Sequence, residues 1–243
     1  MSARGESPDW VRDALAQFAG EVKLFARTAL AVTLHPGRFA AEWAAGERRA
    51  LNPLGFLATA FAVLGPTFAA VTTLIGKQER SSLWLDALGA LAPFVYYFLF
   101  GALQHGCLRA LGSRRRLRES CAMALYAGGG PGLLAQLMVI VLVLVMHFRF
   151  GVTDTLELPR AVRLLFTIFA LAPFLLFYVT LGVALAGLHR ARVWKIAAAN
   201  FFALAVCAFL FALLDPPGHY GLHLVLGPRF SDGQWHLVVG ANL

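Results

Sequence analysis

Charge is what this chain has least of. Asp, Glu, Lys and Arg make up 14% of its 243 residues, where soluble domains carry roughly 25%. Cysteine is scarce too. Cys107, Cys121 and Cys207 form no CxxC pair and no metal-ligand spacing, which argues for thiols packed between helices and against a redox or metal role. The motifs of hydrolytic chemistry are missing as well: there is no GxSxG, no HExxH, no paired carboxylate within an apolar run and no Ser/His pair. No active site, metal or cofactor is expected in this chain.

Long apolar runs are what it does have. Five of them, over residues 53–75, 83–103, 122–146, 164–188 and 196–214, are almost free of charge. About 20 predominantly apolar helical residues cross the hydrocarbon core of a bilayer, so each run is long enough to span. The chain is 59% hydrophobic with a mean hydropathy of +0.68. The expected fold class is all-α: a polytopic membrane protein, with a five-transmembrane-helix bundle and an N-terminal amphipathic interfacial helix. Residues 1–50 would be a cytoplasmic segment, 51–214 the transmembrane domain and 215–243 an external tail.

The net charge is +8, but the bases lie between the apolar runs and form no groove for nucleic acid. With the N-terminus in the cytoplasm, fifteen of the 21 Lys and Arg fall inside and six outside, in keeping with the positive-inside rule. An Ala-, Leu- and Arg-rich composition reads as bacterial. The expected location is therefore an inner membrane crossed several times, N-terminus cytoplasmic, C-terminus external or periplasmic. The chain does not open as a signal peptide, because Arg4, Glu6, Asp9 and Asp13 precede any apolar run. Instead Trp10, Ala14, Leu15, Phe18, Val22 and Phe25 recur at helical spacing, predicting an amphipathic helix in the cytoplasmic interface. Lipid or the bundle's own cytoplasmic face would serve equally as its apolar partner. The run 29–34 before His35-Pro36 is too short to cross.

Four runs hold a proline near the middle: Pro66, Pro93, Pro131 and Pro173. Each frees the carbonyl four residues earlier, at Ala62, Gly89, Ala127 and Phe169, and in lipid such groups need new partners. A ring of broken helices, as in transporters, is one reading; kinks that merely shape the bundle are the other. Polar side chains decide in favour of kinks, since Thr59, Thr67, Thr72, Thr73, Gln136, Thr167, Thr180 and Asn200 are nearly the whole inventory, with Asp86 close to one edge. Ion-coupled transport calls for a titratable group near the midplane, and none is there. Passive movement of lipids or solutes stays compatible with this.

Ala124, Gly128 and Gly132 fall on one helical face, a small-xxx-small surface for close helix packing. With no preceding strand and no Lys, this stretch does not read as a phosphate loop. Gly65 with Ala69 and Gly182 with Ala186 repeat the pattern more weakly. The densest basic cluster is Arg114, Arg115, Arg116 and Arg118, in a loop expected to face the anionic cytoplasmic leaflet, where each charge contributes on the order of 1 kcal/mol. Anchoring the flanking helices is its simple role, and docking an acidic partner protein its sharper one. Arg190, Arg192 and Lys195 would enlarge the same face. His35, His105, His147 and His189 lie at run ends on both sides of the membrane, so they share no metal site. In the tail, Asp215, His219, His223, Asp232 and His236 sit among glycines and apolar residues. There the alternation of Leu222, Leu224 and Leu226 and the apolar run 235–239 predict a short hairpin.

Three local patterns carry a resemblance. Leu34-His35-Pro36-Gly37-Arg38-Phe39, followed by Asn52-Pro53-Leu54-Gly55-Phe56, precedes the first run. Leu111-Gly112-Ser113 leads through the basic loop to Ala124-Leu125-Tyr126-Ala127 and Pro131, and Leu188-His189-Arg190 closes the fourth run before a tight basic turn. Over about residues 25–214 the chain resembles the Yip1 family in its bacterial branch. The resemblance implies a cytoplasmic N-terminal segment, five membrane helices and a C-terminus on the far side. The acidic Tyr-containing motif of eukaryotic members has no counterpart here, so Rab binding is not implied. The expected function is that of a non-enzymatic inner-membrane protein acting through membrane lipid or partner proteins, as a homo-oligomer or beside another membrane protein. The alternative is a passive permease, channel or lipid-handling protein built on the proline-broken helices.

Overall fold

The computed structural model describes residues 9–74, 83–151, 159–214, 225–231 and 234–240. Helices dominate: α1 (Asp9–Leu34), α2 (Pro36–Ala44), α3 (Pro53–Leu74), α4 (Leu83–Ala110), α5 (Leu117–Gly129), α6 (Pro131–Val145), α7 (Arg160–His189) and α8 (Val193–Leu214). A π-helical turn, Met146–Phe150, extends α6. Further on, β1 (Val225–Ser231) pairs antiparallel with β2 (Gln234–Gly240), Ser231 opposite Gln234. The class is all-α, with this hairpin beside the helices. Asp215, His219, His223 and Asp232 lie outside the described residues.

Local chemistry sets the helix ends. Pro36 opens α2, where its missing N–H costs nothing. Asn52 Oδ1 accepts the Gly55 N–H at 2.6 Å to start α3, and Glu119 Oε2 accepts the Arg116 N–H at 3.0 Å to start α5, each pairing a backbone donor at a helix start. Arg190, with φ +49°, closes α7 in the left-handed region.

At the centre stands α5. Every residue from Ser120 to Gly132 is buried, and α1, α3, α4 and α7 all pack against it. Its Ala, Gly and Cys content makes this crowding feasible, because small side chains let backbones approach. A Cβ added at Gly101 of α4 would lie 2.8 Å from Cys121 Cα. One added at Gly129 would lie 2.7 Å from the Phe56 ring of α3. Aromatic rings fill what the small residues leave. Tyr126 meets Phe39 edge-on at 4.9 Å and Trp43 at 5.9 Å, while Tyr97 reaches Phe177 at 5.4 Å. The second close approach is α2 on α7, where a Cβ at Gly187 would meet Gly37 O at 2.6 Å.

Of the two proline readings, the ring of broken helices is the one the structure does not show. Pro66, Pro93 and Pro173 lie within the continuous helices α3, α4 and α7; only Pro131 ends one helix and starts another. There is one break, not a ring of them. The residue before a proline is disfavoured in the α region, and Gly130 leaves it, with φ −100° and ψ −88°, whereas Gly65 before Pro66 stays within α3. The C-terminal turns of α1 cover this point, as Thr33 Oγ1 and Ala29 O lie 3.5 and 3.7 Å from where a Gly130 Cβ would stand.

α1 is longer than its amphipathic repeat. The run 29–34 is its last two turns and not a separate piece. Trp10, Phe18 and Val22 are exposed, whereas Thr28, Ala31 and Val32 are buried and Phe25 stacks on Phe56 at 4.9 Å. One end of the helix joins the bundle and the other stands clear of it.

The exterior is greasy. Leu54, Val95, Val141, Val179, Phe201 and Phe209 are all exposed, on α3, α4, α6, α7 and α8. Among the described residues, one helical stretch, Leu117–Phe150, is long and apolar enough to cross a membrane. The shorter apolar helices are Pro53–Thr67, Leu175–His189 and Val193–Cys207.

Candidate functional site

The last turn of α4, the loop after it, the start of α5, the end of α7 and the start of α8 meet at one end of the bundle. Gly112, with φ +96°, reverses the chain there. Its N–H donates to Arg109 O at 3.0 Å and the Ser113 N–H donates to Leu108 O at 2.9 Å. That turn aims the Ser113 hydroxyl at α7.

Four side chains from these elements form one hydrogen-bonded chain. Ser113 Oγ lies 2.5 Å from His189 Nδ1, His189 Nε2 lies 2.9 Å from Ser120 Oγ, and Ser120 Oγ lies 3.1 Å from His105 Nδ1. The Arg115 N–H also donates to Ser113 Oγ, at 3.3 Å. Ser120 has no exposed surface, and His105 is buried. Burial pushes the His189 imidazole down to about 4, with His105 and Arg115 adding to the effect and Glu119 opposing it. His105 is lowered chiefly by burial and then by Arg109, again against Glu119. Near neutral pH both rings are uncharged, so each has one donor and one acceptor nitrogen to share.

Around this chain the face is basic. Arg109, Gly112, Ser113 and Arg114 line a shallow hollow of about 470 Å³. Lys195 Nζ donates to Leu111 O at 2.5 Å, tying α8 to the loop. Deeper in, Gln104 Nε2 donates to Asn200 Oδ1, while Gln104 Oε1 is buried with no partner among the described residues. To one side, Glu42 takes Arg38 Nε at 2.5 Å and Arg48 Nη1 at 2.6 Å. The Arg38 hydrogen bond holds the Glu42 carboxyl below its ordinary range.

Ala124, Gly128 and Gly132 are all buried in the centre. A Cβ on Gly128 would meet the Tyr97 ring at 2.6 Å, and one on Gly132 would meet Tyr97 Oη at 3.0 Å. The face is occupied within the chain, which leaves it closed to a second copy. Gly65, expected to offer a weaker version, has nothing within 4 Å of an added Cβ. The hydroxyls of Thr59 and Thr67 turn back on Gly55 O and Val63 O of their own helix, each at 2.8 Å. Arg114, Arg116 and Arg118 are exposed and Arg115 is half-buried. His35 and His147 stand apart from this site, and no group of His, Cys, Asp or Glu fit to hold a metal occurs among the described residues.

No family model, curated protein or solved structure matches this chain.

One expectation fails outright. No Ser/His pair is visible along the sequence, yet the fold makes three, joining Ser120 to His105 and to His189 and Ser113 to His189. Residues 69 positions apart meet because α5 and α7 pack with their basic ends together. The clue in the sequence was that His105, Ser120 and His189 lie at ends of apolar runs assigned to the same side, with Ser113 in the loop between two of them. A serine between two imidazoles resembles an activated nucleophile. With no exposed surface, its oxygen offers a substrate carbonyl no approach. The arrangement is suited instead to holding protons and to positioning Ser113 beside the hollow.

Proposed function

We propose that this chain is a non-enzymatic, five-span inner-membrane protein of Yip1-like architecture that acts by associating with lipid or with partner proteins at its basic face. The observation that carries this reading is the apolar exterior. Large apolar side chains face outward on five helices, while Gln104, His105, Ser120 and Thr180 are buried. Apolar patches of this extent are unstable in water and natural in lipid. Helices α3, α4, α7 and α8 have 22, 28, 30 and 22 residues, each enough for a crossing. The fifth crossing is α5 with α6, and the excess of arginines supports a cytoplasmic basic end. An interior filled by Tyr97, Phe100, Tyr126 and Phe177 favours a scaffold over a conduit. The permease reading keeps one point in its favour, the helix break at Gly130 and Pro131.

Cysteine labelling tests both, in a background with Cys107, Cys121 and Cys207 changed to Ala. A membrane-impermeant maleimide should label Asn242→Cys from outside, Ala45→Cys only after permeabilisation, and Ala127→Cys from neither side. Ready labelling of Ala127→Cys would favour the permease. Release of the chain from membranes by alkaline carbonate would end the membrane reading altogether.

A further inference from the structure

The hollow at the basic end is lined by two arginines, Arg109 and Arg114, with Gly112 and Ser113, and among the described residues neither arginine has an ion pair. The Glu119 carboxylate accepts from the Arg116 N–H. Paired guanidiniums without a counter-ion match the charge and geometry of phosphate oxygens. The floor is set by Ser113, whose hydroxyl is held between the Arg115 N–H and His189.

That hydroxyl connects the hollow to the buried imidazoles. A neutral His189 has one acceptor nitrogen, which can take the Ser113 proton. Once protonated, both of its nitrogens donate. Ser113 Oγ must then accept from His189 as well as from Arg115, and its own proton is forced to turn away from the ring, toward the hollow. Ser120 accommodates the change by accepting from His189 Nε2 and donating to His105 Nδ1. The result is a new hydrogen-bond donor and a nearby positive charge on the wall where an anion would sit.

We propose that the hollow lined by Arg109, Gly112, Ser113 and Arg114 binds a phosphodiester, and that proton uptake by His189 strengthens this binding through Ser113. This deepens the lipid-association reading and rests on it for the source of the ligand: at the cytoplasmic face, the phosphodiester to hand is an anionic lipid headgroup. The coupling runs both ways, so a bound anion also makes His189 easier to protonate. The charged and titratable groups on the elements packed around His189 are His105 and Arg109 on α4, Arg114, Arg115 and Arg116 in the loop, Arg118 and Glu119 on α5, Arg190 and Arg192 after α7, Lys195 on α8, and Arg38 and Glu42 on α2. Nearly all are cations and oppose the uptake, which is why an anion is needed to favour it.

The test uses two probes whose charge does not change between pH 4.5 and 7.5: phosphatidylglycerol in phosphatidylcholine nanodiscs, and water-soluble glycerophosphoglycerol added to the full chain in detergent. Binding of the lipid but not the soluble ester places the site in the membrane interface; binding of both assigns it to the phosphodiester alone. Arg109→Gln with Arg114→Gln should weaken either by about tenfold or more, the loss of two charge-assisted contacts. Binding to the parent chain should tighten about threefold from pH 7.5 to pH 4.5, if the anion raises the His189 titration point by roughly one unit. His189→Gln should lose that increase, so that its affinities at pH 7.5 and pH 4.5 are equal. The site is refuted if the double variant binds both probes like the parent or if neither probe binds the parent. The coupling is refuted if His189→Gln retains the full pH dependence. Because the detergent arm needs no bilayer, a chain that fails to insert into membranes would overturn the proposed function and leave the phosphodiester site to be judged separately.

Discussion

Gly101 supports both the packing of α4 on α5 and the geometry of the polar chain. A Cβ at this position would stand 2.8 Å from Cys121 Cα, 3.0 Å from Ala124 Cβ and 3.2 Å from Ser120 O. Carbon atoms rest comfortably at about 3.5–4.0 Å, so Gly101→Ala must push the two helices apart by roughly 1 Å at this crossing. Two of the three obstacles are backbone atoms, which cannot swing aside. Overpacking of this kind costs about 1–3 kcal/mol, offset in part by the ~1 kcal/mol that alanine gains over glycine within a helix. Gly106, on the same helix, is the control, because an added Cβ there meets nothing within 4 Å. Thermal unfolding in detergent should therefore show Gly101→Ala melting several degrees below the parent and Gly106→Ala melting at or above it. The displacement also reaches the site. Ser120 rides on the same turn of α5 as Cys121, so the 3.1 Å contact from His105 should open, and the His105 ring signals in NMR should shift. Equal stability of the two alanine variants would refute the close approach of α4 to α5 on which the central placement of α5 rests.

Ser120→Ala should destabilise by about 1–3 kcal/mol, because His105 Nδ1 and His189 Nε2 both lose a partner in a buried setting; chemical unfolding measures it. His189 is held at about 4 against an ordinary 6.5, so the unfolded chain takes up this proton first as the pH falls. Its contribution is complete above pH 6.5 and is lost on acidification toward pH 4, by about 1–2 kcal/mol between pH 7 and pH 5 after allowance for its partial exposure. Melting curves across that range should show the decline, and His189→Gln should flatten it. Tyr126→Phe removes the hydroxyl that donates to Leu51 O and should cost about 1 kcal/mol with the aromatic cluster intact. Glu42→Gln, by contrast, should change stability by less than about 1 kcal/mol, since its partners Arg38 and Arg48 are partly solvated.

Much of the helical architecture was legible in the apolar runs. The starts and ends of α3, α7 and α8 fall within a few residues of them, and α4 runs seven residues past its run, because a run of apolar residues has few ways to satisfy its backbone except as a helix. Prolines were less informative. The same residue sits inside a continuous helix at Pro66 and Pro93 and ends one at Pro131, and the preceding residue does not separate the cases, since Gly65 precedes Pro66 just as Gly130 precedes Pro131. Small residues were also ambiguous on their own. Gly65 and Gly128 look alike in sequence, yet one faces open space and the other faces the Tyr97 ring.

By itself, then, the order of residues determined which segments are helical, how apolar they are and which loops carry the arginines, since each follows from local composition and period. Which helix occupies the centre, which glycines touch a neighbour, and that His105, Ser113, Ser120 and His189 share one hydrogen-bonded chain were decided only by tertiary packing. Those four residues lie up to 84 positions apart. A hydrogen bond depends on separation in space, and no periodicity along the chain encodes it.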